Sequence, residues 1–176
     1  DLLSCLLIHF IYKTKVGVEL KLKKIIEGSK YQIVNGSKDI DIKGIQHDSR
    51  KISKDNMFIA IKGFTVDGHS YVQEAIKKGA NCIVIQQDVE VDKDDITIVK
   101  VDDTIETLAK FSSKYYSEPS KELDLIGITG TNGKTSTTYL IKNIFDVNNN
   151  KTGIIGTLGS TVDDKVMDIK NTTPES

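Results

Sequence analysis

A glycine-rich segment, residues 127–136 with the sequence GITGTNGKTS, has the residue types that predict chemistry most directly in this chain. Glycines allow the backbone to turn so tightly that several N–H groups converge on an anion. An apolar run precedes the segment and an apolar-periodic run follows it, which predicts a strand, a loop and a helix in that order. The N-terminus of such a helix adds partial positive charge at the loop. The segment therefore predicts a phosphate site, and ATP is its expected ligand.

The residues of this segment have distinct expected roles. Lys134 is expected to reach the β- and γ-phosphates as the catalytic cation, and the Thr135 hydroxyl to ligate the accompanying Mg²⁺. The expected ATP contacts are Gly130, Thr131, Asn132, Gly133, Lys134, Thr135 and Ser136. The pattern GxxxxGK[ST] fails by one position, since Ile128 stands where its first glycine belongs. A bound anion still explains the segment better than an ordinary turn, because a lysine in the first turn of a helix is otherwise unfavourable.

The composition restricts the classes of partner. The chain has 24 Lys and Arg residues against 25 Asp and Glu residues, so it has no general positive field for nucleic acid or an anionic membrane. A hydrophobic content of 38% with 28% charged residues is typical of a soluble globular protein. Cys5 and Cys82 lie far apart and match no metal-ligand spacing. We therefore expect reduced thiols in a cytoplasmic protein, with neither nucleic acid nor membrane as a partner.

The first residues form an apolar stretch, 2–12, that fits neither a signal peptide nor a membrane span. It lacks a basic region and a cleavage site, and at about 11 residues it is shorter than the roughly 20 that a bilayer requires. Our hypothesis is that residues 1–19 are an extension not native to the functional protein. The alternative is a genuine extension that packs as a helix.

Residues 20–122 are predicted to form a small α/β domain with a ligand site at its strand ends. Its predicted elements are a helix that ends at Gly28, strands 31–34 and 40–45 joined by a hairpin turn at Asn35-Gly36, strand 57–61, a helix from the capping box Ser70/Gln73 to Gly79, strands 82–85 and 96–101, and a helix from the cap Asp103 to Tyr116. Pro119 and Ser120 mark the linker that follows.

Two polar patches in this domain suggest chemistry. Asp48-Ser49-Arg50 follows a predicted strand, and the loop 63–69 offers backbone N–H groups. Taken alone, the triplet reads as a turn with a surface ion pair, His47 as a strand-end side chain and His69 as a solvated loop residue rather than a base. No pair of residues here has the spacing of a nucleophile and its base.

Residues 123–176 are predicted to begin a second, ATP-binding domain. Residues 152–157 should form a strand parallel to the strand before the glycine-rich loop, and residues 161–169 a hairpin around Asp163-Asp164. The segment 171–176 is polar. A sheet of two or three strands buries little apolar surface, so this domain is expected to be a truncated beginning that is unstable by itself.

The motifs taken together resemble the Mur ligase family across residues 20–176. The motifs that carry the resemblance are DSR at 48–50, FIAIKG at 58–63, DGH at 67–69, KGA at 78–80, GITGTNGKT at 127–135, GTLG at 156–159 and NTTPE at 171–175. The resemblance implies a small α/β domain for a UDP-linked substrate followed by the truncated start of a P-loop ATPase α/β domain. It also explains the displaced glycine, because GTNGKT is the form of the phosphate loop in this family.

The resemblance implies an ATP-dependent ligase of cytoplasmic peptidoglycan synthesis. Its substrates would be UDP-N-acetylmuramoyl-L-alanyl-D-glutamate and a third amino acid, meso-diaminopimelate or L-lysine, joined through an acyl phosphate. The implied contacts to the UDP-linked substrate are Ser49, Phe64, Thr65, Val66, Asn171, Thr172 and Thr173. The domain that selects the amino acid and further metal ligands of the family are missing, so these 176 residues are expected to be inactive as a ligase. Two alternatives stay open: the sister ligase that adds the terminal dipeptide, and a non-catalytic nucleotide-binding module.

Overall fold

The computed structural model of the chain describes residues 5–9, 19–63, 66–91, 95–162 and 165–167. It divides into two compact units, Lys15–Glu118 and a unit formed by Pro119–Glu175 with Asp1–Thr14. The strands are β1 Cys5–His9, β2 Leu20–Lys21, β3 Gln32–Asn35, β4 Asp41–Ile42, β5 Gly44–Gln46, β6 Asn56–Ile59, β7 Cys82–Ile85, β8 Thr97–Lys100, β9 Leu125–Ile128, β10 Thr152–Gly156, β11 Gly159–Val162 and β12 Lys165–Met167. The α-helices are α1 Leu22–Ile25, α2 Val72–Lys77, α3 Thr104–Tyr115 and α4 Lys134–Val147.

The unit Lys15–Glu118 is built on a five-stranded sheet in the order β3-β8-β7-β6-β5. Strands β5 to β8 pair in parallel with their neighbours, and β3 pairs antiparallel with β8. The short strands β2 and β4 form a separate antiparallel pair. Because β5 to β8 run parallel, their carboxyl ends lie at one edge of the sheet, where the loops that follow them meet.

Both faces of this sheet are covered by apolar side chains. Along β6, Met57 and Ile59 belong to one hydrophobic cluster, while Phe58 and Ala60 belong to the other. This alternation follows from the two-residue period of a strand. Helices α1 and α3 contribute Leu22, Ile25, Leu108 and Phe111 to the first cluster, and α2 contributes Val72, Ala75 and Ile76 to the second. The central strands β6 and β7 are therefore buried along their whole length, as expected for a sheet covered on both faces.

The predicted hairpin at Asn35-Gly36 is wrong. Strand β3 pairs with β8, and β4 pairs with β2. Gly36 has the expected positive φ of 81°, but the chain after it lies against β8: the Ser37 N–H donates to Thr97 Oγ1 at 3.2 Å. A Cβ at Gly36 would lie 2.7 Å from the Thr97 Cα, so this close approach is what requires a glycine.

The predicted capping box of Ser70 and Gln73 is also wrong. A 3-10 turn, Gly68–Tyr71, comes first, and Asp67 caps it by accepting from the His69 N–H. The α2 helix then begins at Val72 without a side-chain cap, and Gln73 instead donates from Nε2 to the Glu90 carbonyl. The predicted cap at Asp103 is confirmed, because its carboxylate accepts from two N–H groups in the first turn of α3.

The second unit contains a five-stranded sheet in the order β12-β11-β10-β1-β9. Strand β1 lies between β9 and β10 and pairs antiparallel with both, so β9 and β10 run parallel, as predicted, without being neighbours. The alternative expectation of an N-terminal helix is wrong for Cys5–His9, which form a strand. The hairpin of β11 and β12 is confirmed, while its turn residues Asp163-Asp164 lie outside the described residues.

Within the described ranges, none of the helices combines the length and the apolar character needed to cross a bilayer. The free thiol of Cys82 is buried in β7, and this burial raises its pKa far above the ordinary value. Cys82 is therefore an unreactive core residue, as its sequence context predicts.

Candidate functional site

The glycine-rich loop connects the end of β9 to the first residue of α4. Gly130 and Gly133 have φ values of 152° and 79°, and Gly133 is the N-cap of α4 in the left-handed conformation. These two conformations strongly favour glycine, because a side chain at either position would be strained. Gly127 differs: it lies inside β9, and a Cβ added there would meet nothing within 4 Å. The expectation that Gly127 helps the loop to turn is therefore wrong.

An open cavity of about 280 Å³ lies at the N-terminus of α4. It is lined by Thr131, Asn132, Gly133, Lys134, Thr135, Ser136 and Thr157. Six of the seven residues expected to contact ATP thus lie around one cavity, and the seventh, Gly130, is linked to it through Lys134. The first N–H groups of a helix have no intrahelical partners, so this end of α4 offers donors and partial positive charge to an anion.

The Lys134 ammonium group folds over the loop rather than into solvent. It donates to the Gly130 carbonyl and, at 3.5 Å, to the Thr131 carbonyl. The buried Thr138 hydroxyl donates to the Lys134 carbonyl at 2.9 Å and so holds the first turn of α4 against its next turn. A phosphate group entering the cavity would meet an ammonium group already held at the loop.

Thr157 is a residue of this cavity that the sequence reasoning did not assign to a site. It is exposed and lies in the tight turn between β10 and β11, where Gly156 pairs with Gly159. Strand β10 runs parallel to β9, so the carboxyl ends of both strands lie at the same edge. The predicted parallel direction of the two strands could have identified Thr157, since the residue directly after a parallel strand commonly faces the ligand.

The described residues include no group of three or more His, Cys, Asp or Glu side chains arranged to hold a metal ion. The expected metal ligand, Thr135, lines the cavity. Mg²⁺ prefers oxygen ligands and is commonly held by one or two protein groups together with the phosphates of a nucleotide. A single hydroxyl beside a phosphate cavity therefore fits Mg²⁺ that enters with ATP.

The Asp48-Ser49-Arg50 triplet begins two residues after the end of β5, where Asp48 precedes a 3-10 turn, Ser49–Lys51. Asp48 caps the turn and forms a two-pronged ion pair with Arg50, with both N···O distances at 2.8 Å. The hydrogen bonds from Arg50 hold the pKa of Asp48 well below its ordinary value. The expected turn with an ion pair is thus present, and Ser49, the expected contact to the UDP-linked substrate, lies in it and is buried.

The loop after β6 starts at the edge of the sheet where the carboxyl ends of β5 to β8 lie. Val66 is exposed, and its carbonyl accepts from the Gly63 N–H at 3.0 Å. Phe64 and Thr65, and the expected contacts Asn171, Thr172 and Thr173, lie outside the described residues. Of the expected contacts to the UDP-linked substrate, the structure therefore places Ser49 and Val66, both in loops that follow parallel strands.

His69 is not the solvated loop residue that was expected, since it is 8% exposed. Its Nε2 accepts from the Gln86 N–H at 3.2 Å, so the proton is on Nδ1, which donates to Asp67 at 2.6 Å. Gln87 Nε2 donates to the second Asp67 oxygen at 2.9 Å. These hydrogen bonds, led by the one from the His69 N–H, lower the pKa of Asp67. His69 thus fixes the end of the 63–67 loop to the end of β7.

Replacing His69 by alanine is expected to lower the free energy of unfolding by about 1–3 kcal/mol, because the Gln86 N–H loses its partner in a partly buried site. Urea denaturation monitored by circular dichroism measures this change. The matched control is Val66→Ala in the same loop, where the side chain is exposed and the expected change is within about 0.5 kcal/mol. Equal stability of the two variants would contradict the assigned role of His69.

Comparison with known proteins gives matches in both units. Residues 41–116 match the model of the Mur ligase family, catalytic domain, and residues 128–176 match that of the Mur ligase middle domain. The UDP-N-acetylmuramoyl-L-alanyl-D-glutamate--2,6-diaminopimelate ligase of Clostridium perfringens is 44% identical over 155 residues, which are 88% of this chain and 32% of the relative. The ligase of the same name from Caldanaerobacter subterraneus is 45% identical over 157 residues, with 89% and 32% covered.

A solved structure also aligns with the chain: the UDP-N-acetylmuramoylalanyl-D-glutamyl-2,6-diaminopimelate--D-alanyl-D-alanyl ligase from Acinetobacter baumannii, at 20% identity and a TM-score of 0.47, over 58% of this chain and 22% of that one. The parallel sheet of the first unit and the glycine-rich loop of the second are features of nucleotide-binding α/β proteins. The two family matches, one in each unit, show that the chain belongs to the Mur ligase family. It spans about a third of the length of the curated relatives it matches, 32% in each of the two cases above.

Proposed function

We propose that this chain supplies the uridine-nucleotide site and the ATP phosphate loop of a cytoplasmic ligase that joins 2,6-diaminopimelate to UDP-N-acetylmuramoyl-L-alanyl-D-glutamate. The observation that carries the proposal is the cavity at the N-terminus of α4, where Lys134 lies at the loop. The names of the relatives favour diaminopimelate over L-lysine, and they favour this reaction over addition of the terminal dipeptide.

The reaction has to turn a carboxylate, which is a poor electrophile, into an activated acyl group. An oxygen of the D-glutamate carboxylate attacks the γ-phosphorus of ATP, ADP leaves, and an acyl phosphate forms. The amine of diaminopimelate then attacks the acyl carbon, and phosphate leaves as the amide forms and the amine loses a proton. Neither step requires a nucleophile from the protein, so catalysis depends on positioning and on neutralising charge.

The residues of the cavity have separate roles in this scheme. Lys134 binds the β- and γ-phosphates and neutralises the charge that develops during transfer. The Thr135 hydroxyl holds Mg²⁺, which supplies further neutralisation of the phosphate charge when it is bound. The N–H groups of the first turn of α4 orient the phosphates for in-line attack. Ser49 and Val66, with Phe64 and Thr65, bind the uridine nucleotide end of the other substrate.

Calorimetric titration of this chain with ATP and Mg²⁺, and separately with UDP-N-acetylmuramoyl-L-alanyl-D-glutamate, tests the proposal. We expect one saturable site for each ligand, and no amide formation from the 176 residues alone when diaminopimelate is added. Binding of the UDP-linked ligand without ATP would favour the non-catalytic module. Binding of neither ligand would contradict the proposal.

A further inference from the structure

Strand β10 lies along helix α4, with its two ends at opposite ends of the helix. At the start of the strand, the buried Thr152 hydroxyl donates to the Asp146 carboxylate in the last turn of α4 at 2.6 Å. After its end, Thr157 lines the 280 Å³ cavity together with Thr135 of the first turn. The chain rises by about 16 Å from 152 to 157 in the strand and by about 16 Å from 135 to 146 in the helix. The match in length brings Thr157 to the N-terminus of α4.

A second, smaller cavity shows how closely the turn after β10 packs against α4. Its volume is about 10 Å³, enough for about one water molecule, and Tyr139 and Ile154 are among the residues around it. Thr135 and Thr157 line this cavity as well as the larger one. Thr157 therefore lies next to Thr135.

The Thr157 hydroxyl differs from two other threonine hydroxyls of this unit in its hydrogen bonding. Those of Thr138 and Thr152 donate to the Lys134 carbonyl and to Asp146. Thr157 is exposed, and within the described part of the chain its side chain has no hydrogen-bond partner. The hydroxyl therefore keeps one donor and two lone pairs for a ligand.

The turn itself does not require a threonine. Residues 157 and 158 form a two-residue connection between Gly156 and Gly159, which pair with each other. Such connections favour Asn, Asp and Gly, and the left-handed conformation of this one falls on Gly159, with a φ of 105°. The hydroxyl at position 157 is thus available for binding without a role in the fold.

The position of Thr135 indicates which part of ATP Thr157 would contact. In a phosphate loop, backbone N–H groups surround the α- and β-phosphates, and the hydroxyl after the lysine holds the Mg²⁺ that bridges the β- and γ-phosphates. Thr135 has that position in the sequence, directly after Lys134. A hydroxyl next to Thr135 therefore lies at the γ-phosphate end of the nucleotide.

We propose that the Thr157 hydroxyl donates a hydrogen bond to an oxygen of the γ-phosphate, so that this chain distinguishes ATP from ADP. ADP has no γ-phosphate, and the contact is lost once the phosphoryl group has been transferred. Because Thr157 follows a strand that is anchored to α4 at its other end, the contact also helps to orient the γ-phosphorus for attack. This inference rests on the proposed function, which assigns ATP to the cavity at α4.

Calorimetric titration of the chain with ATP and with ADP, each in the presence of Mg²⁺, tests the inference in four proteins. Thr157→Val replaces the hydroxyl by a methyl group. It should lower ATP affinity about tenfold, a usual factor for one hydrogen bond to a charged group, and change ADP affinity by less than twofold. Thr157→Ser keeps the hydroxyl and should keep the ATP to ADP ratio of the unaltered chain. The control is Thr137→Val, at an exposed position of α4 outside the cavity lining, which should change neither affinity.

The outcomes separate this inference from the proposed function. Failure of the unaltered chain to bind ATP would overturn both. ATP binding with the same ATP to ADP ratio in Thr157→Val as in the unaltered chain would overturn the γ-phosphate contact and leave the proposed function standing. A loss in Thr157→Ser as large as that in Thr157→Val would assign the effect to the methyl group and would also overturn the contact. Thermal unfolding of each variant checks that it is folded.

Discussion

Replacing Lys134 by alanine is expected to lower the affinity of this chain for ATP with Mg²⁺ by about 10- to 150-fold. Hydrogen bonds to charged groups are typically worth about 1.5–3 kcal/mol, which corresponds to that range. Lys134 lines the cavity and its ammonium group lies at the loop, so its loss removes a charge from the place where the phosphates would bind. Isothermal titration calorimetry with ATP and Mg²⁺ measures the change.

A second lysine variant controls for the loss of one positive charge. Lys110→Ala removes the ammonium group of an exposed pair with Glu106 on α3 and should leave ATP affinity within twofold. The Lys134 variant should remain folded, because the hydrogen bonds that its side chain makes in this structure go to carbonyls of the exposed loop. ATP affinity that is the same in both variants would contradict the phosphate site.

The order of strand, glycine-rich loop and helix was predictable because its determinants are local. The glycines, the lysine and the helix that follows occupy one continuous segment. The loop therefore lies directly before the N-terminus of the helix in the chain. The buried parallel strands were predictable for a related reason. Met57 to Ala60 and Cys82 to Ile85 are continuous apolar runs, which is the pattern of strands covered on both faces.

The errors in the predicted fold concern residues whose local conformational preference is outweighed by contacts with residues distant in the sequence. Asn35-Gly36 has the sequence of a hairpin turn, but β3 gains a longer partner in β8 than β4 offers. Ser70 and Gln73 have the spacing of a capping box, yet Asp67 caps the preceding turn and Gln73 bonds to Glu90. The local sequence favours the turn and the cap, whereas contacts with residues distant in the sequence decide whether they form.

The contacts that organise the other candidate site could not be derived from sequence for the same reason. Lys78 donates to a carbonyl 29 residues earlier in the chain, and His69 accepts from an N–H group 17 residues later. Neither of these contacts between residues far apart in the sequence can be predicted from periodicity or from a motif. The DSR and DGH motifs indicated that these positions matter, but only the structure shows that the Ser49 carbonyl accepts a hydrogen bond from Lys78 and that His69 is buried.

Phe111 is one of the largest fully buried side chains of the first unit. It projects from α3 into the cluster that also contains Leu22, Met57 and Val99, and it is 0% exposed. This cluster covers one face of the sheet whose strand ends carry Ser49 and Val66. Stability of the cluster is therefore a condition for ordered loops at the proposed uridine-nucleotide site.

Phe111→Ala is expected to lower the free energy of unfolding of this unit by about 3–5 kcal/mol, because the lost transfer free energy of the ring adds to the cost of the cavity it leaves. The total free energy of unfolding of a domain is only about 5–15 kcal/mol, so UDP binding should weaken as the unfolded population grows. Urea denaturation and UDP titration on the same samples measure both effects. The matched control is Ile105→Ala on the same helix: this side chain is 60% exposed and its loss should change stability by less than about 0.5 kcal/mol. A Phe111 variant as stable as this control would show that the cluster does not hold the unit together.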